Sequence, residues 1–259
     1  MQIGKPGKAT TGISTADAAQ VLVRGRDLAT DLIGRTGFTE YFCLLLTGRE
    51  PNADQKFFLD AVLVAIAEHG LVPSVQAARM TLAAAPESLQ GAVAAGLLGA
   101  GSVILGASES CALLLAQGVA RQAKGENGVA LALAEEIHAR GERMPGFGHP
   151  LHKPADPRAE RLLLLAEERR IAGPAIRLAV ELRPAVARIW RKELPMNVSM
   201  PIAAILLDLD FPPSIVKAVP ILARTAGLLA HLAEEQANPI GFRMASAGEE
   251  AISYAPEKK

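Results

Sequence analysis

MPGFGHPLHKPADPRAE, residues 144–160, interrupts a chain that is otherwise rich in alanine and leucine at helical spacing. Two glycines, Gly146 and Gly148, precede His149 within this stretch. Glycine permits backbone shapes and close approaches that a side chain would block. The stretch therefore predicts a loop on which a ligand could pack directly against the main chain.

The end of the same stretch predicts the start of a helix. Asp156 is suited to the N-cap and Pro157 to the first helical position. Arg158 then falls in the first turn, where the helix dipole also favours an anion. A titratable His149 near this arginine suits a carboxylate ligand. Taken alone, the segment favours a simpler interpretation, a glycine loop with a surface histidine and a salt bridge at a helix start.

Composition limits the classes of function. The 259 residues carry 27 Lys+Arg and 27 Asp+Glu, and this zero net charge argues against a nucleic-acid-binding protein but permits local basic sites. Cys43 and Cys111 lie in apolar runs, which favours buried free thiols in a reducing cytoplasm. The cysteines and the five scattered histidines show no metal-ligand spacing, and the N-terminus lacks the apolar run of a signal peptide. We therefore expect a cytoplasmic protein without a bound metal.

Residues 88–108, SLQGAVAAGLLGAGSVILGAS, form an uncharged segment with the length of a membrane span. Their glycine and alanine content gives a weaker transfer energy into lipid than a leucine-rich or isoleucine-rich segment would have. Gly91, Gly96, Gly99 and Gly101 would let helix backbones approach closely. We therefore expect a buried, close-packed helix at a subunit interface and no membrane span.

The remaining pattern is helical. Asn52 is suited to cap a helix that begins at Ala53 and ends near Gly70. A long apolar helix near the C-terminus is expected to be kinked or interrupted near Pro220. The sequence shows no period-2 alternation long enough to support a sheet. The predicted fold class is therefore all-α.

Several segments, taken in order, resemble the citrate synthase superfamily and especially its citryl-CoA lyase branch, which includes the citrate-synthase-like module of ATP-citrate lyase. Single motifs are weak, but their order and spacing along nearly the whole chain are specific. The segments are ISTADAAQVLVRGRDL (13–28), AEHG (67–70), MPGFGHPLHKPADPRAE (144–160), PMNVSMP (195–201), LARTAGLLAHL (222–232) and GFRMASAGEEAISY (241–254).

The resemblance implies a role for each matching residue. His69 would hydrogen-bond a carboxylate of an oxaloacetate-like substrate, and His149 would contact the carbonyl or hydroxyl oxygen. Arg158, Arg224 and Arg243 would pair with carboxylates, Arg243 by entering the site of the neighbouring subunit. The glycine loop would receive the adenine of coenzyme A (CoA) through Met144, Pro145, Gly146, Phe147 and Gly148.

Two positions depart from the family pattern. In GASESCA, residues 106–112, Glu109 takes the place of a histidine that polarises the thioester carbonyl in the synthases. In PMNVSMP, Ser199 takes the place of an aspartate that moves the proton at the acetyl carbon. Serine is a poor base without a partner, and lost acid–base assistance costs roughly 10²–10⁴-fold in rate. A desolvated, protonated Glu109 could compensate in part by donating to the thioester oxygen.

The reaction implied by the resemblance is cleavage of citryl-CoA, a retro-Claisen reaction. A base such as His149 would take the hydroxyl proton, the carbon–carbon bond would break, and an acid would quench the resulting acetyl-CoA enolate. Synthesis passes through the same barriers in reverse, so the residues leave the direction open, as they do the identity of the hydroxyacyl-CoA. The alternative is a non-catalytic protein of the same fold that binds citrate or an acyl-CoA.

The resemblance also implies a two-lobed architecture and a homodimer. Residues 1–111 and 208–259 would form a large, dimerising helical domain. Residues 112–207 would form a small inserted domain that carries the His149 loop. The expected ligands are an acyl-CoA and a small di- or tricarboxylate. CoA would be part of a substrate, and no separate cofactor is expected.

Overall fold

The computed structural model describes residues 9–101 and 107–256. The prediction of a mostly helical fold is confirmed. Within the described residues the α-helices, in chain order, are α1 (Phe38–Thr47), α2 (Ala53–Ala67), α3 (Pro73–Ala84), α4 (Leu89–Leu98), α5 (Ala107–Ala123), α6 (Val129–Ala139), α7 (Pro157–Glu168), α8 (Pro174–Trp190), α9 (Ser199–Asp208), α10 (Pro213–Val216), α11 (Ala218–Ala237) and α12 (Gly241–Ala251).

The chain divides after Asp60 into two compact units. The first contains a small antiparallel sheet, of strand order β1-β2-β3, that the sequence pattern did not predict. Its strands are too short to show alternation, because they span only Ser14–Ala16 (β1), Val21–Val23 (β2) and Arg26–Asp27 (β3). A π-helical turn and α1 follow the sheet, and buried Val23, Leu32 and Leu44 form the core of this unit.

The start of α2 follows the prediction. The backbone N–H of Gln55 donates to the Asn52 side chain at 2.8 Å, and the backbone N–H of Asn52 donates to the Gln55 side chain at 3.0 Å. This reciprocal pair satisfies two donors that the first turn leaves open. The helix ends at Ala67, earlier than expected, so Glu68 and His69 lie in the turn after it.

The second unit, from Ala61 onward, contains two groups of packed helices. In one group α3 packs with α4, α11 and α12 around a core that includes Val75, Leu82 and Leu228. In the other group α5, α6, α7, α8 and α9 pack together, and α10 contacts α5, α9 and α11. Domain boundaries at 111/112 and 207/208 stay a prediction. Cys43 and Cys111 are buried free thiols, as expected.

The segment 88–108 is not one helix, so the prediction of a single long helix is wrong. The helix α4 ends at Leu98, and the next helix begins at Ala107. A Cβ atom at Gly96 would lie 2.7 Å from the Leu228 side chain and 2.9 Å from the carbonyl oxygen of Ser74. The close approach allowed by glycine therefore joins α4 to α3 and α11 of the same chain. A subunit interface at this segment stays a prediction.

The expected interruption near Pro220 lies at Lys217, between α10 and α11. Among the described residues, one helical stretch, Pro213–Ala237, is long and apolar enough to cross a membrane by length and composition. Its Arg224, Leu228 and Leu232 are buried. Burial of these side chains within the unit is the pattern of a core helix.

Candidate active site

The glycine loop lies alongside the segment that carries Ser199. The backbone N–H of Gly148 donates to the Pro195 carbonyl at 2.7 Å, and the backbone N–H of Asn197 donates to the Gly146 carbonyl at 2.9 Å. The Asn197 side-chain amide also donates to the Gly148 carbonyl at 3.1 Å. These bonds fix the two predicted motifs side by side, although they are about fifty residues apart in the chain.

The two glycines of the loop have different roles. Both have positive φ, +76° at Gly146 and +85° at Gly148. A Cβ atom at Gly146 would meet Met200 at 2.7 Å and Cys111 at 2.9 Å, whereas one at Gly148 would meet nothing within 4 Å. Gly146 therefore serves close packing in the protein interior. The sequence prediction assigned a close approach of ligand to both glycines, but only at Gly148 is there open space where a Cβ atom would lie.

Asp156 and Arg158 form the predicted helix start. The buried Asp156 carboxylate accepts two bonds from the Arg158 guanidinium, at 3.0 and 2.8 Å, and further bonds from the backbone N–H groups of Arg158 and Val198. Burial alone would raise the pKa of the Asp156 carboxyl, but the hydrogen bonds and charge of Arg158 hold this pKa below its usual value. The bidentate pairing fixes the guanidinium in one orientation.

Arg224 is buried and incompletely paired. One guanidinium nitrogen, Nη2, donates to the Ile66 carbonyl at 3.3 Å, and Glu68 Oε1 lies 3.8 Å from Nη1. Among the described residues, Nε and Nη1 have no hydrogen-bond partner. Burial, with a smaller effect of the nearby Arg158 charge, lowers the pKa of Arg224 despite the opposing charge of Glu68. Buried unpaired donors are costly, so this side chain is suited to bind an anion.

The surroundings of His149 assign its tautomer. Its Nδ1 accepts the backbone N–H of Leu151 at 3.1 Å and that of His152 at 2.9 Å. Burial, with the neighbouring His152 and Arg158, lowers the pKa of His149 and favours the neutral ring. A neutral ring with an accepting Nδ1 carries its proton on Nε2. His149 therefore presents a hydrogen-bond donor, which fits contact with a carbonyl or hydroxyl oxygen. The expected role as the base that takes the hydroxyl proton does not fit this tautomer.

Three histidines lie together at the site. Nε2 of His69 is 2.9 Å from Nε2 of His152, and the three pairs of ring centroids among His69, His149 and His152 lie 4.4 to 5.3 Å apart. The sequence prediction included His69 and His149 but not His152. The only local signal was the i, i+3 spacing of His149 and His152, because His69 is 83 residues away from His152.

One ring nitrogen from each of these histidines lies within 4.8 Å of those from the other two, and three imidazoles are a donor set that zinc accepts. Two features of the site oppose a metal ion. Nε2 of His149 carries the proton, which leaves no lone pair for a ligand bond. Burial and the charges of Arg158 and Arg224 also lower the pKa of His69, and the same positive field would repel a cation. We therefore assign the three histidines to hydrogen bonding.

These groups converge on a cavity of about 540 Å³, termed here the arginine cavity. Its walls include Arg158, Arg224, His69, His149 and Ser199. The predicted His69, His149, Arg158 and Arg224 thus meet at one place, and Ser199, the first residue of α9, lies among them. A few convergent polar groups in an otherwise apolar cavity are typical of a small-molecule site.

A second cavity of about 1070 Å³ adjoins the first and is termed here the loop cavity. The two share five residues of their walls, among them Gly148 and His149. All five predicted CoA-binding residues, Met144 to Gly148, line the loop cavity. Arg143 and Trp190 also lie there, and neither was predicted.

Glu109 and Arg243 lie elsewhere in the described structure. The walls of the two cavities include Ala107 and Ser110 but not Glu109, whose Oε2 lies 3.1 Å from Nζ of Lys217. Lys217 donates a hydrogen bond to this carboxylate outside the walls of both cavities, so the role of Glu109 as a donor to the thioester oxygen stays a prediction. Arg243 has an exposed side chain on α12, outside both cavities. Its entry into a neighbouring subunit stays a prediction.

Comparisons with known proteins agree with this architecture. The family described as "Citrate synthase, C-terminal domain" matches residues 9–244. The citrate synthase of Synechocystis is 29% identical over 227 residues, which cover 85% of this chain and 55% of that protein. Citrate synthase 2 of Bacillus subtilis is 26% identical over 205 residues, which cover 78% of this chain and 53% of that protein. The chain thus spans about half the length of the curated relatives it matches.

Among solved structures, citryl-CoA lyase from Hydrogenobacter thermophilus has a similar fold and a similar length. Its TM-score is 0.85 at 29% sequence identity, and the match covers 97% of this chain and 96% of that chain. ATP citrate lyase from Methanothrix soehngenii shares the fold at 23% identity, with a TM-score of 0.77 over 99% of this chain and 43% of that chain.

Proposed function

The chain belongs to the citrate synthase family, and from this membership we propose that it makes or breaks a carbon–carbon bond between an acyl-CoA and an oxaloacetate-like 2-oxo acid. Among the possible reactions, we favour the cleavage of citryl-CoA. The similarity in fold to a citryl-CoA lyase, at 29% sequence identity, supports this choice over synthesis.

The proposal rests on the incompletely paired Arg224 guanidinium in the arginine cavity, whose Nε and Nη1 have no hydrogen-bond partner among the described residues. Together with Arg158 it offers two fixed positive charges, which suit a ligand with two carboxylates. His149 adds an N–H donor, which suits a carbonyl or hydroxyl oxygen between them. A 2-oxo dicarboxylic acid, or the corresponding part of citryl-CoA, combines these features.

The loop cavity supports the thioester half of the proposal. An acyl-CoA would occupy this cavity with its acyl end directed to the shared wall at Gly148 and His149. Trp190 offers an aromatic face to the adenine ring, and Arg143 offers a positive charge to a phosphate. In this proposal CoA is part of the substrate and not a bound cofactor.

During cleavage, the hydroxyl proton of citryl-CoA leaves, and the hydroxyl oxygen becomes the carbonyl oxygen of oxaloacetate. The electrons of the broken carbon–carbon bond pass to the thioester, and the resulting enolate takes a proton to give acetyl-CoA. The N–H of His149 stabilises the negative charge that develops on the hydroxyl oxygen as its proton leaves. Because Nε2 of His149 keeps its proton, water in the cavity would accept the hydroxyl proton and would supply the proton that the enolate carbon takes, so the reaction has no net gain or loss of protons.

A non-catalytic binding protein of the same fold is the second candidate. Two observations favour it: Ser199 lines the cavity in place of the family's aspartate, and Glu109 is paired with Lys217. Such a protein would bind the same ligands without converting them. Ligand binding is therefore common to both candidates, and product formation separates them.

Binding is tested first by thermal unfolding. Oxaloacetate and citrate should raise the melting temperature, because a ligand that binds only the folded state stabilises it by mass action. Arg158→Ala and Arg224→Ala should each abolish most of that increase, since each removes a carboxylate partner.

Arg161→Ala is the matched control, because Arg161 is exposed and pairs with Glu168 outside both cavities. It should keep the full response to both ligands. An undiminished response in Arg158→Ala and Arg224→Ala would show that the ligands bind elsewhere.

A further inference from the structure

The contact between His69 and His152 contains one shared proton. Two Nε2 atoms that are 2.9 Å apart form a hydrogen bond only if one is protonated and the other accepts. The two possible arrangements differ in whether Nδ1, the other ring nitrogen of His69, carries a proton. If His69 donates to His152, its Nδ1 is a bare acceptor. If His69 accepts from His152, its own proton lies on Nδ1.

The surroundings favour the neutral form of His69, in which one ring nitrogen carries a proton and the other accepts. His69 lines the arginine cavity, and burial together with the charge of Arg158 lowers the pKa of its ring, so additional positive charge on His69 is disfavoured. His152 is half-buried and does not belong to the described walls of either cavity. Among the described residues, Nδ1 of His69 has no hydrogen-bond partner, which leaves it available to a ligand.

The chemistry of the expected ligand favours His152 as the donor. A carboxylate accepts hydrogen bonds and has none to donate. It would therefore be attracted by an Nδ1–H on His69 and repelled by a lone pair at that position. Only the arrangement in which His152 donates provides the N–H.

We propose that His152 is a positioning residue that donates its Nε2 proton to Nε2 of His69 and thereby makes Nδ1–H of His69 a fixed donor for a substrate carboxylate. His152 itself does not touch the substrate. The role of the carboxylate rests on the proposed function, but the tautomer of His69 can be measured without any ligand.

The first test is the tautomer. Two-bond ¹H–¹⁵N NMR spectra of protein with ¹⁵N-labelled histidine side chains distinguish a protonated ring nitrogen from a bare one, and His69→Gln identifies the His69 signals. We expect a protonated Nδ1 and a bare Nε2 for His69. In His152→Phe this preference should disappear, whereas in His152→Gln the amide donor should keep it.

The second test is affinity for oxaloacetate, measured by calorimetry. His152→Phe should weaken binding by about tenfold, as expected for one hydrogen bond to a charged group, and His152→Gln should restore most of it. Binding of CoA alone should be equal in all three proteins, which would show that the fold of the loop is intact.

The possible failures are distinguishable. A bare Nδ1 on His69 in the native protein, or an unchanged His69 spectrum in His152→Phe, would overturn the assignment of His152. A native protein with the expected tautomer that binds neither oxaloacetate nor CoA would instead overturn the proposed function, and with it the carboxylate role of His69.

Discussion

Ser199 lies at the position where the resemblance implies an aspartate in the family. It begins α9, lines the arginine cavity, and its backbone N–H donates to the Asn197 side chain at 3.1 Å. An aspartate at this position would keep the same backbone contact with Asn197. A carboxylate at this position would also lie at the positive end of a helix, where it is favourable.

We expect native citryl-CoA cleavage to be slow and Ser199→Asp to accelerate it by at least ~10-fold, the lower end of what a placed acid or base contributes. Rates of acetyl-CoA release measure the effect. Ser214→Asp is the control, since it makes the same change near the start of α10, at an exposed residue outside both cavities. A fast native enzyme that Ser199→Asp slows would mean that the cavity runs a reaction in which serine is the required residue.

Contacts between residues that are close in the chain could be predicted from the sequence. Contacts between residues that are far apart in the chain could not. Asp156 and Arg158 are two positions apart, so their helix start could be predicted from the chain itself. The pairing of His152 with His69 and of Glu109 with Lys217 depends on segments that fold together from 83 and 108 residues apart. No local pattern encodes such contacts.

At the scale of elements, the glycine loop was predicted correctly as a loop, but the reasons for its two glycines differ. Gly146 faces Met200 and Cys111 inside the protein, whereas Gly148 faces open space. Sequence alone gives both positions the same conformational freedom. The sequence also does not show which partner a glycine approaches. Gly96 was expected near a subunit interface, and its close contacts in the described structure are with Leu228 and Ser74 of the same chain.

This difference predicts unequal effects of the same substitution. Gly148→Ala should lower the free energy of unfolding by about 1 kcal/mol, the cost of a positive φ for a residue with a side chain. Gly146→Ala should lower it by about 3 kcal/mol, because overpacking against Met200 and Cys111 adds to that cost. Urea denaturation of both variants and the native protein measures the difference. Equal losses would show that the interior contacts of Gly146 do not constrain it.

At the scale of the whole molecule, the site residues lie in the unit that follows Asp60, and Arg243 is exposed on α12. Exposed Phe242, Ile252 and Tyr254 lie in or just after the same helix. We propose a homodimer in which Arg243 of each subunit completes the site of the other. In a two-fold dimer such an exchange is reciprocal.

Mixing two inactive variants tests this exchange. Arg224→Ala and Arg243→Ala should each be nearly inactive alone. After joint unfolding and refolding, each mixed dimer regains one intact site, so about a quarter of the native activity should return. Light scattering should show a dimer throughout. A native monomer, or a mixture no more active than its components, would exclude a shared site.

The central claim is that the arginine cavity and the loop cavity together convert an acyl-CoA. The most direct measurement is incubation of the native protein with citryl-CoA, with acetyl-CoA and oxaloacetate quantified by mass spectrometry. The account predicts both products in equal amounts, at a rate at least about tenfold above Arg224→Ala, since loss of this guanidinium leaves a carboxylate unpaired. Tight binding of citryl-CoA without products above the spontaneous background would contradict it, and would establish a binding protein instead.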